Sequence, residues 1–300
     1  MVGGTVSATF FEKEGASKDA GSSAAGIAGL LRATEPGDSP LRQVVGRKMM
    51  LEYDIEATLG GGRADPGLFL RPAERPILGD GADQRLRDIG CVLDAIVTAA
   101  GWRPDAAEHR QVERVYRAQT PGTRIDSFGA FPSRERAIRL AVSGFRTSCE
   151  IVAFLERAGW PGQRATAASA VSRLEERGAF VGAGVHFDVH ADGLGPTLGL
   201  SFLAKKREAN DPRYWVDSPD QWTSFLNCLR AEGHGLGEKI AALAQWSSGA
   251  EPLFCRSGAF ILMRGIHHIK LVLKGDRVEQ AKGYVFFLVC SWPQGGGATR

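Results

Sequence analysis

The chain has 300 residues, enough for one large domain or two small ones, and its 37 Lys and Arg against 34 Asp and Glu give a net charge of +3. This balance, with no long run of Lys and Arg, argues against a nucleic-acid partner. The five scattered cysteines without CxxC spacing, and the lack of a membrane-length apolar run or a signal-peptide pattern, predict a cytoplasmic location and no membrane partner.

Composition divides the chain into three segments. Residues 1–47 are rich in Gly, Ala and Ser and are predicted to form a flexible or loosely docked arm with at most one strand, TVSATFF. Residues 48–292 alternate between strand and helix patterns and are predicted to form a single barrel domain. Residues 293–300 are predicted to be a disordered tail.

The barrel domain begins with a hairpin from Met50 to Arg71, MLEYDIEATLGGGRADPGLFLR. Apolar and polar residues alternate along both strands, which is the pattern of strands that bury one face. The apolar face carries Leu51, Tyr53, Ile55, Leu68 and Leu70. The opposite face carries Glu52, Asp54, Glu56, Gly67, Phe69 and Arg71.

The same alternation recurs along the chain in strands that are separated by helical patterns. Helices are predicted over Asp83–Ala100, TSCEIVAFLERAG, Ala165–Arg177, QWTSFLNCLRAEG and EKIAALAQW. Further strands are predicted near Thr123–Phe128 and in SRERAIRLAVSGF, GVHFDVHAD, TLGLSFLAKK, AFILMRGIHHIKLVL and EQAKGYVFFLVC. The pattern is an internal repeat of strand, strand and helix.

Repeated ββα units with short hairpins form an antiparallel sheet, and a large sheet removes its edges when it closes. We therefore predict an α+β fold in which these units form a closed antiparallel β-barrel surrounded by helices. The apolar strand residues would face the helices, and the ionisable residues would line a solvated lumen, because so many of them cannot be packed dry. The alternative is an open sheet whose polar face is simply solvated.

The predicted architecture resembles that of the ABBA, or PT-barrel, prenyltransferases. Within that class the chain is most similar to the cyanobactin-type peptide prenyltransferases. The similarity covers about residues 48–205, in LEYDIEA, in the hairpin RIDSFGAFPSRERAIRLAV and in the hairpin VHFDVHADGLGPTLGLSF. It implies transfer of an isoprenoid from a diphosphate, such as dimethylallyl or geranyl diphosphate, to a peptide side chain or to an aromatic small molecule.

The resemblance also implies roles for individual residues. Glu52 matches the family glutamate that acts beside the acceptor as a base or orienting group, and Arg139 stands where the family places a diphosphate-binding residue. The basic residue that the family has early on its second strand falls near Gly67 here, with Arg71 as a substitute. The DDxxD signature of terpene synthases is absent, so Mg²⁺ would be bound mainly through the substrate diphosphate.

Ionisation of an allylic diphosphate needs cations that stabilise the departing pyrophosphate and aromatic rings that shelter the carbocation. Phe69 and Tyr284 are the candidate rings. The predicted diphosphate-binding residues are Arg71, Arg139, Lys205, Lys270, Lys282 and Tyr284. The predicted acceptor-side and lumen residues are Asp54, Phe69, His186, Asp188, His190, Ser201 and His268, with Glu52 as the catalytic residue.

Two other functions are compatible with the same residues. His186, Asp188 and His190 alternate on one strand face, as the ligands of a metal-dependent enzyme would, although no HExxH motif accompanies them. The barrel would also suit a non-catalytic protein that binds a peptide or a small ligand in its lumen.

Overall fold

The computed structural model describes residues 22–35, 39–45, 49–52, 66–73, 84–132, 134–205, 215–218, 220–246, 249–256 and 258–291. The helices in these ranges are α1 (Ser22–Thr34), α2 (Pro40–Val45), α3 (Gln84–Ala99), α4 (Ala106–Arg117), α5 (Ser148–Ala158), α6 (Arg164–Glu176), α7 (Thr223–Ala231) and α8 (Gly237–Trp246). None of these helices combines the length and the apolar content needed to cross a bilayer.

The strands in the same ranges are β1 (Met49–Glu52), β2 (Gly67–Leu70), β3 (Arg124–Ala130), β4 (Ile138–Phe145), β5 (Gly182–His190), β6 (Gly193–Leu194), β7 (Leu198–Leu203), β8 (Gly249–Cys255), β9 (Gly258–Lys274) and β10 (Arg277–Ser291). The predictions for Tyr53, Asp54, Ile55 and Glu56, for the strand TVSATFF and for the 293–300 tail lie outside the described residues.

All ten strands belong to one antiparallel sheet with the order β1-β2-β3-β4-β5-β7-β9-β10. The short strand β6 adds to β5, and β8 pairs with the first half of β9. The sheet curls into a half-barrel, and the helices accompany it, so the predicted α+β class is confirmed at this level. Strand β8 was not among the strands predicted from the sequence.

The face of the sheet that meets the helices was predicted from the alternation. Seven of the strand residues predicted to face the helices are at most 1% exposed: Leu68, Leu140, Val142, Val185, Phe187, Leu198 and Leu200. They join one hydrophobic cluster with helix residues such as Leu93 of α3, Phe154 of α5 and Phe225 of α7. The predicted orientation is therefore confirmed for these strands, and a shift by one residue would have reversed it.

The first described residues differ from the expected flexible arm. Helix α1 buries Ile27 and Leu30, and α2 buries Val44 and Val45, all within the same hydrophobic cluster. Ile27 and Leu30 are three residues apart and Val44 and Val45 are adjacent, so each pair lies on one side of a short helix. That side of each helix packs against α3. High Ala, Gly and Ser content concealed this pattern in the sequence.

Helix α5 begins with a capping box that is expected to contribute measurably to stability. The backbone N–H of Glu150 donates to Thr147 Oγ1 at 3.2 Å, and Glu150 Oε2 accepts from the backbone N–H of Thr147 at 3.4 Å. Thr147→Ala should lower the free energy of unfolding by about 1 kcal/mol, because one helical N–H loses its acceptor. Urea unfolding measures the change. Thr98→Ala, at an exposed position of α3, is the matched control and should cost nothing.

Candidate functional site

The concave face of the sheet is where the predicted polar residues meet, because residues paired directly across antiparallel strands point to the same side. Arg139 of β4 is paired with Asp188 of β5. Ser201 of β7 is paired with Lys270 of β9, and Lys270 in turn with Lys282 of β10. The central strands therefore present a continuous band of charged and polar side chains.

Arg139 is held in this band by a bidentate ion pair. Its Nε donates to Asp188 Oδ1 at 2.7 Å and its Nη2 donates to Oδ2 at 3.0 Å. Burial works to lower the pKa of Arg139, but the hydrogen bond to Asp188 and the charges of Asp188 and Glu52 outweigh it, so the pKa is raised. Arg139 is thus a fixed, permanent cation on the concave face.

Lys270 differs from the other cations because it is only 9% exposed and none of the described residues accepts a hydrogen bond from its Nζ. Its methylene chain lies across Gly199, where an added Cβ would clash with Lys270 Cε. Burial, the largest cause, and the positive charges of Arg139 and Lys282 together lower the pKa of Lys270 to about 8, against the opposing charges of Glu52 and Asp188. Lys270 is therefore a buried ammonium that loses its proton just above neutral pH.

His186 and Ser201 form a hydrogen-bonded pair on the same face. His186 Nε2 lies 3.0 Å from Ser201 Oγ, which is also 3.3 Å from the carbonyl oxygen of Gly184. Burial holds the pKa of His186 well below its usual range, and nearby positive charges, led by that of Lys270, hold it lower still. His186 is therefore neutral at physiological pH and adds no positive charge to the face.

An aromatic wall made of Trp215, His267, His268 and Tyr284 borders the band of cations. The rings of His268 and Tyr284 are stacked 4.1 Å apart with an angle of 12° between them. His268 Nδ1 lies 2.8 Å from His267 Nδ1, and the His267 ring lies 5.8 Å from that of Trp215. Burial lowers the pKa of His268 to about 3, with the charges of His267 and Lys270 adding to the fall, so His268 is neutral.

The sequence analysis missed two members of the aromatic wall. His267 lies between the pairs Tyr284–His268 and Val285–Ile266, where the register of β9 against β10 shifts, so the alternation along β9 is interrupted there. Trp215 lies in a short described segment with no strand pattern, and its ring packs edge-on against Phe286 at 5.1 Å. No signal in the sequence connects Trp215 with β9.

Glu52 reaches the group of cations from the first strand of the sheet. Its negative charge adds to the raised pKa of Tyr284, of which burial is the larger cause. The same charge acts on the pKa of Arg139 and of Lys270. Strands β1 and β10 lie at opposite ends of the strand order, so the curl of the sheet brings Glu52 and Tyr284 into one electrostatic neighbourhood.

Two of the predicted diphosphate-binding residues are engaged in other contacts. Arg71 forms an ion pair with Asp126 of β3, and its Nε also lies 3.4 Å from the Asp126 carbonyl oxygen. Lys205 Nζ donates to the carbonyl oxygen of Val216 at 2.6 Å. Of the predicted diphosphate-binding cations, Arg139 and Lys270 share one electrostatic neighbourhood with Glu52, and Lys282 acts on Lys270.

A cavity of about 260 Å³ opens beside the Arg139–Asp188 ion pair. Its lining includes Phe131 and Arg134, in the connection after β3, and His190, at the end of β5. The Arg134 guanidinium lies 4.3 Å from the centre of the Phe131 ring. The volume is below the roughly 300 Å³ at which pockets for drug-sized ligands begin, so it suits one side chain or one end of a longer substrate.

Phe69 and Phe131 form a second aromatic pair, on the β2–β3 side of Arg139. Their ring centres are 5.4 Å apart in an edge-to-face arrangement. Gly129, which lies opposite both Phe69 and Arg139, leaves space for the Phe69 ring, which a Cβ at this position would meet. Phe69 was predicted to face the lumen, and the structure places it on the concave face.

A larger cleft of about 390 Å³ lies between α4 and α5 and is lined mainly by arginines. Arg157 Nε and Nη2 donate to the carbonyl oxygen of Ala118 at 3.0 and 2.9 Å, just beyond the end of α4. Arg157 therefore caps the C-terminal end of α4, and this role explains its position without any bound ligand. The cleft lies away from the band of polar residues on the concave face.

Within the part of the chain that the structure describes, no three His, Cys, Asp or Glu side chains are close enough to hold a metal ion. On β5, the strand for which a metal site was considered, two of the three candidate ligands contact other side chains. Asp188 binds Arg139, and His186 binds Ser201. The geometry therefore gives no support to a metal-dependent enzyme built on His186, Asp188 and His190.

Comparison with protein-family models and with curated proteins gives no match to this chain.

Proposed function

We propose that the chain is a prenyltransferase that moves an isoprenoid from an allylic diphosphate, such as dimethylallyl or geranyl diphosphate, to a peptide side chain or to an aromatic small molecule. The observation that carries the proposal is the convergence of Arg139, Lys270 and Lys282 beside the carboxylate of Glu52 on one concave face. Cations on one side and a carboxylate on the other are what the departing diphosphate and the attacking acceptor require.

The diphosphate would lie against the three cations. Arg139 is oriented by Asp188 before the ligand arrives. Lys270 Nζ donates to no acceptor among the described residues, so its hydrogen bonds are available to the diphosphate. Lys282 lies directly across from Lys270 and adds a more exposed charge. Mg²⁺, bound through the diphosphate oxygens, would neutralise further negative charge on the leaving group.

The isoprenoid chain would lie along the aromatic wall. The stacked pair His268 and Tyr284 is neutral, because His268 has a pKa of about 3 and the pKa of Tyr284 is raised, mainly by burial. Neutral aromatic faces stabilise an allylic cation and exclude the water that would otherwise capture it.

In the transfer step, the bond between the allylic carbon and the diphosphate oxygen breaks, and the electron pair leaves with the diphosphate toward Arg139, Lys270 and Lys282. The acceptor nucleophile forms the new bond to the allylic carbon. Its proton goes to the Glu52 carboxylate, which acts as general base. The cavity beside Arg139 would hold part of the acceptor.

The proposal includes closure of the half-barrel into a barrel of repeated ββα units. The support for closure is the mutual influence of Glu52 on β1 and Tyr284 on β10, which are the two outermost strands of the described sheet. Closure would surround the reacting carbon on all sides. It would also explain why the concave face concentrates ionisable groups.

The direct test is turnover with defined substrates. Purified protein is incubated with Mg²⁺, with dimethylallyl or geranyl diphosphate, and with a peptide library that contains every nucleophilic and aromatic side chain. Mass spectrometry should find a prenylated peptide, and a coupled assay should find released pyrophosphate. Diphosphate binding without any transfer would favour the non-catalytic ligand-binding barrel, and absence of diphosphate binding would refute the proposal.

Gly199 provides a test that moves Lys270 without removing it. Gly199→Ala should weaken binding of an alkyl diphosphate roughly tenfold, because the new Cβ displaces the end of the Lys270 side chain. Stability should change little, since the displaced atoms are the far end of a flexible side chain. Isothermal titration measures the affinity. Gly182→Ala on β5, where an added Cβ meets nothing within 4 Å, is the matched control.

A further inference from the structure

The cleft between α4 and α5 is larger than the cavity on the concave face, and the proposed transfer reaction makes no use of it. The chain as a whole has a net charge of only +3, so the concentration of positive charge in this cleft is a local feature. We call it the arginine cleft. Its volume is about 390 Å³, and its lining residues are Arg110, Glu113, Arg114, Arg117, Ala118 and Arg157.

The arginines that α4 contributes lie on one face of the helix. Arg110, Arg114 and Arg117 are separated by four and three positions, which is the spacing of neighbours on a helix surface. The buried Val112 and Val115 lie on the opposite face and belong to the hydrophobic cluster. With a rise of 1.5 Å per residue, the row from Arg110 to Arg117 is about 10 Å long, which is longer than a single phosphate or carboxylate.

The second helix fixes two of the guanidinium groups. Arg157 of α5 donates from Nε and Nη2 to the carbonyl oxygen of Ala118, and its Nη1 forms no hydrogen bond within the described residues. The Arg114 guanidinium lies against Gly159, at the C-terminal end of α5, where an added Cβ would clash with it. Cations from both helices are therefore already placed in the cleft before any ligand is present.

The positive charges of the cleft are only partly neutralised. The Glu113 carboxylate is used by Arg117, whose Nε and Nη2 donate to Glu113 Oε1 at 2.9 and 2.7 Å. Arg110 and Arg114 are exposed, and within the described part of the chain their side chains form no ion pair or hydrogen bond. Like charges one helical turn apart oppose folding, so an anion from outside would stabilise this arrangement.

We propose that the arginine cleft binds an acidic segment of a peptide or protein partner in extended conformation. Planar guanidinium groups bind carboxylates with two parallel hydrogen bonds. Arg110 and Arg114 are about 6 Å apart along the helix axis, and alternate side chains of an extended chain are about 6.6–6.8 Å apart. Acidic residues two positions apart would therefore meet successive arginines. The proposal is independent of the proposed transferase activity.

The lining of the cleft favours a peptide over a nucleic acid. Sites for single-stranded nucleic acid stack bases on aromatic rings, and none of the described residues that line the cleft is aromatic. The cleft also contains the carboxylate of Glu113, which would repel a phosphate backbone. The same carboxylate leaves the Arg110 and Arg114 end of the row as the part that receives the acidic segment.

Fluorescence anisotropy with defined peptides tests the ligand class. The probe is a labelled peptide of about eight residues that alternates Glu and Gly, which is long enough to cover the row of arginines. It should bind saturably, and the same peptide with Gln in place of Glu should bind at least about tenfold more weakly. A peptide of the same composition with its Glu residues in one block should also bind more weakly. No saturable binding of the alternating peptide, or equal binding of either control peptide, would overturn the proposal.

Arg114→Gln tests the site. The variant should bind the alternating peptide at least about tenfold more weakly, because one carboxylate loses its bidentate partner. Arg230→Gln, at an exposed arginine of α7, is the matched control and should bind as the unmodified chain does. Without peptide, Arg114→Gln should unfold at the same temperature as the unmodified chain or higher, which shows that its fold is intact. Unchanged affinity in Arg114→Gln, or an equal loss in Arg230→Gln, would overturn the proposal. So would an oligothymidylate that binds more tightly than the peptide and loses affinity in Arg114→Gln, since the cleft would then be a nucleic-acid site.

Discussion

Replacing Lys270 by methionine is expected to weaken the binding of dimethylallyl diphosphate roughly 100-fold, because a buried cation facing the diphosphate is lost. The same change should raise the free energy of unfolding at pH 7 by about 1–3 kcal/mol. The reason for the second effect is that Lys270 is 9% exposed, and burial lowers its pKa from 10.5 to about 8, so its charge opposes folding. Titration calorimetry and urea unfolding measure the two effects on one sample.

The sign of the pH dependence follows from this pKa. In the folded chain Lys270 loses its proton near pH 8, whereas in the unfolded chain it keeps the proton to about pH 10.5. The Lys270 contribution to stability therefore rises as the pH increases from 8 to 10.5. Affinity for the diphosphate should fall over the same range, since the free amine no longer attracts the anion.

Other groups on the concave face should not produce this pH dependence. His186 and His268 are already neutral at pH 7, and Arg139 stays charged. In Lys270→Met the affinity should therefore be flat from pH 7 to 9. Lys239→Met, at an exposed position of α8, is the matched control and should match the unmodified chain in both measurements. Unchanged affinity in Lys270→Met would show that Lys270 does not bind the diphosphate.

The sequence predicted the two faces of the sheet because alternation with a period of two is a local property. Leu140 and Val142 had to lie on the opposite face from Arg139 in any strand that contained all three. What alternation does not contain is the register between strands, which depends on contacts far apart in the chain. The pairing of Arg139 with Asp188, which are 49 residues apart, was therefore invisible in the sequence although both residues were predicted to face inward.

The elements that the sequence missed have a different cause. Helix α4 is polar except for a narrow stripe, and its buried Val112 and Val115 are three residues apart. So narrow a stripe is easily mistaken for an exposed loop until α3 and α5 are in place around it. The burial of Lys270 was also beyond prediction, because it results from the missing side chain at Gly199 on a neighbouring strand.

The convergence of charges on the concave face depends both on local alternation along each strand and on the long-range curl of the sheet. Local alternation supplies an inward-facing residue on each strand, and the curl of the sheet decides which of them meet. Glu52 and Tyr284 lie on strands at opposite ends of the order, yet the charge of Glu52 contributes to the pKa of Tyr284. The catalytic proposal depends on the curl of the sheet, which brings residues of distant strands together. Glu52 is the residue through which the proposal is best tested.

Glu52→Gln is expected to lower turnover of an identified peptide acceptor by about 100-fold or more, with the affinity for the diphosphate changed by less than about threefold. The amide keeps the size of the side chain but takes up no proton from the attacking nucleophile. It also removes the negative charge that faces Arg139 and Lys270. Steady-state kinetics with varied acceptor, together with calorimetry of the diphosphate, separate the two effects.

The matched controls are the two neighbouring acids on the same predicted face, Asp54→Asn and Glu56→Gln. If Glu52 is the base, only its variant loses turnover, and the loss appears in kcat, since the proton is transferred in the reaction step rather than on binding. The pH profile should then lose its acidic limb in Glu52→Gln alone. Equal activity in all three variants would mean that the acids act together as a negative wall and that no one of them takes the proton.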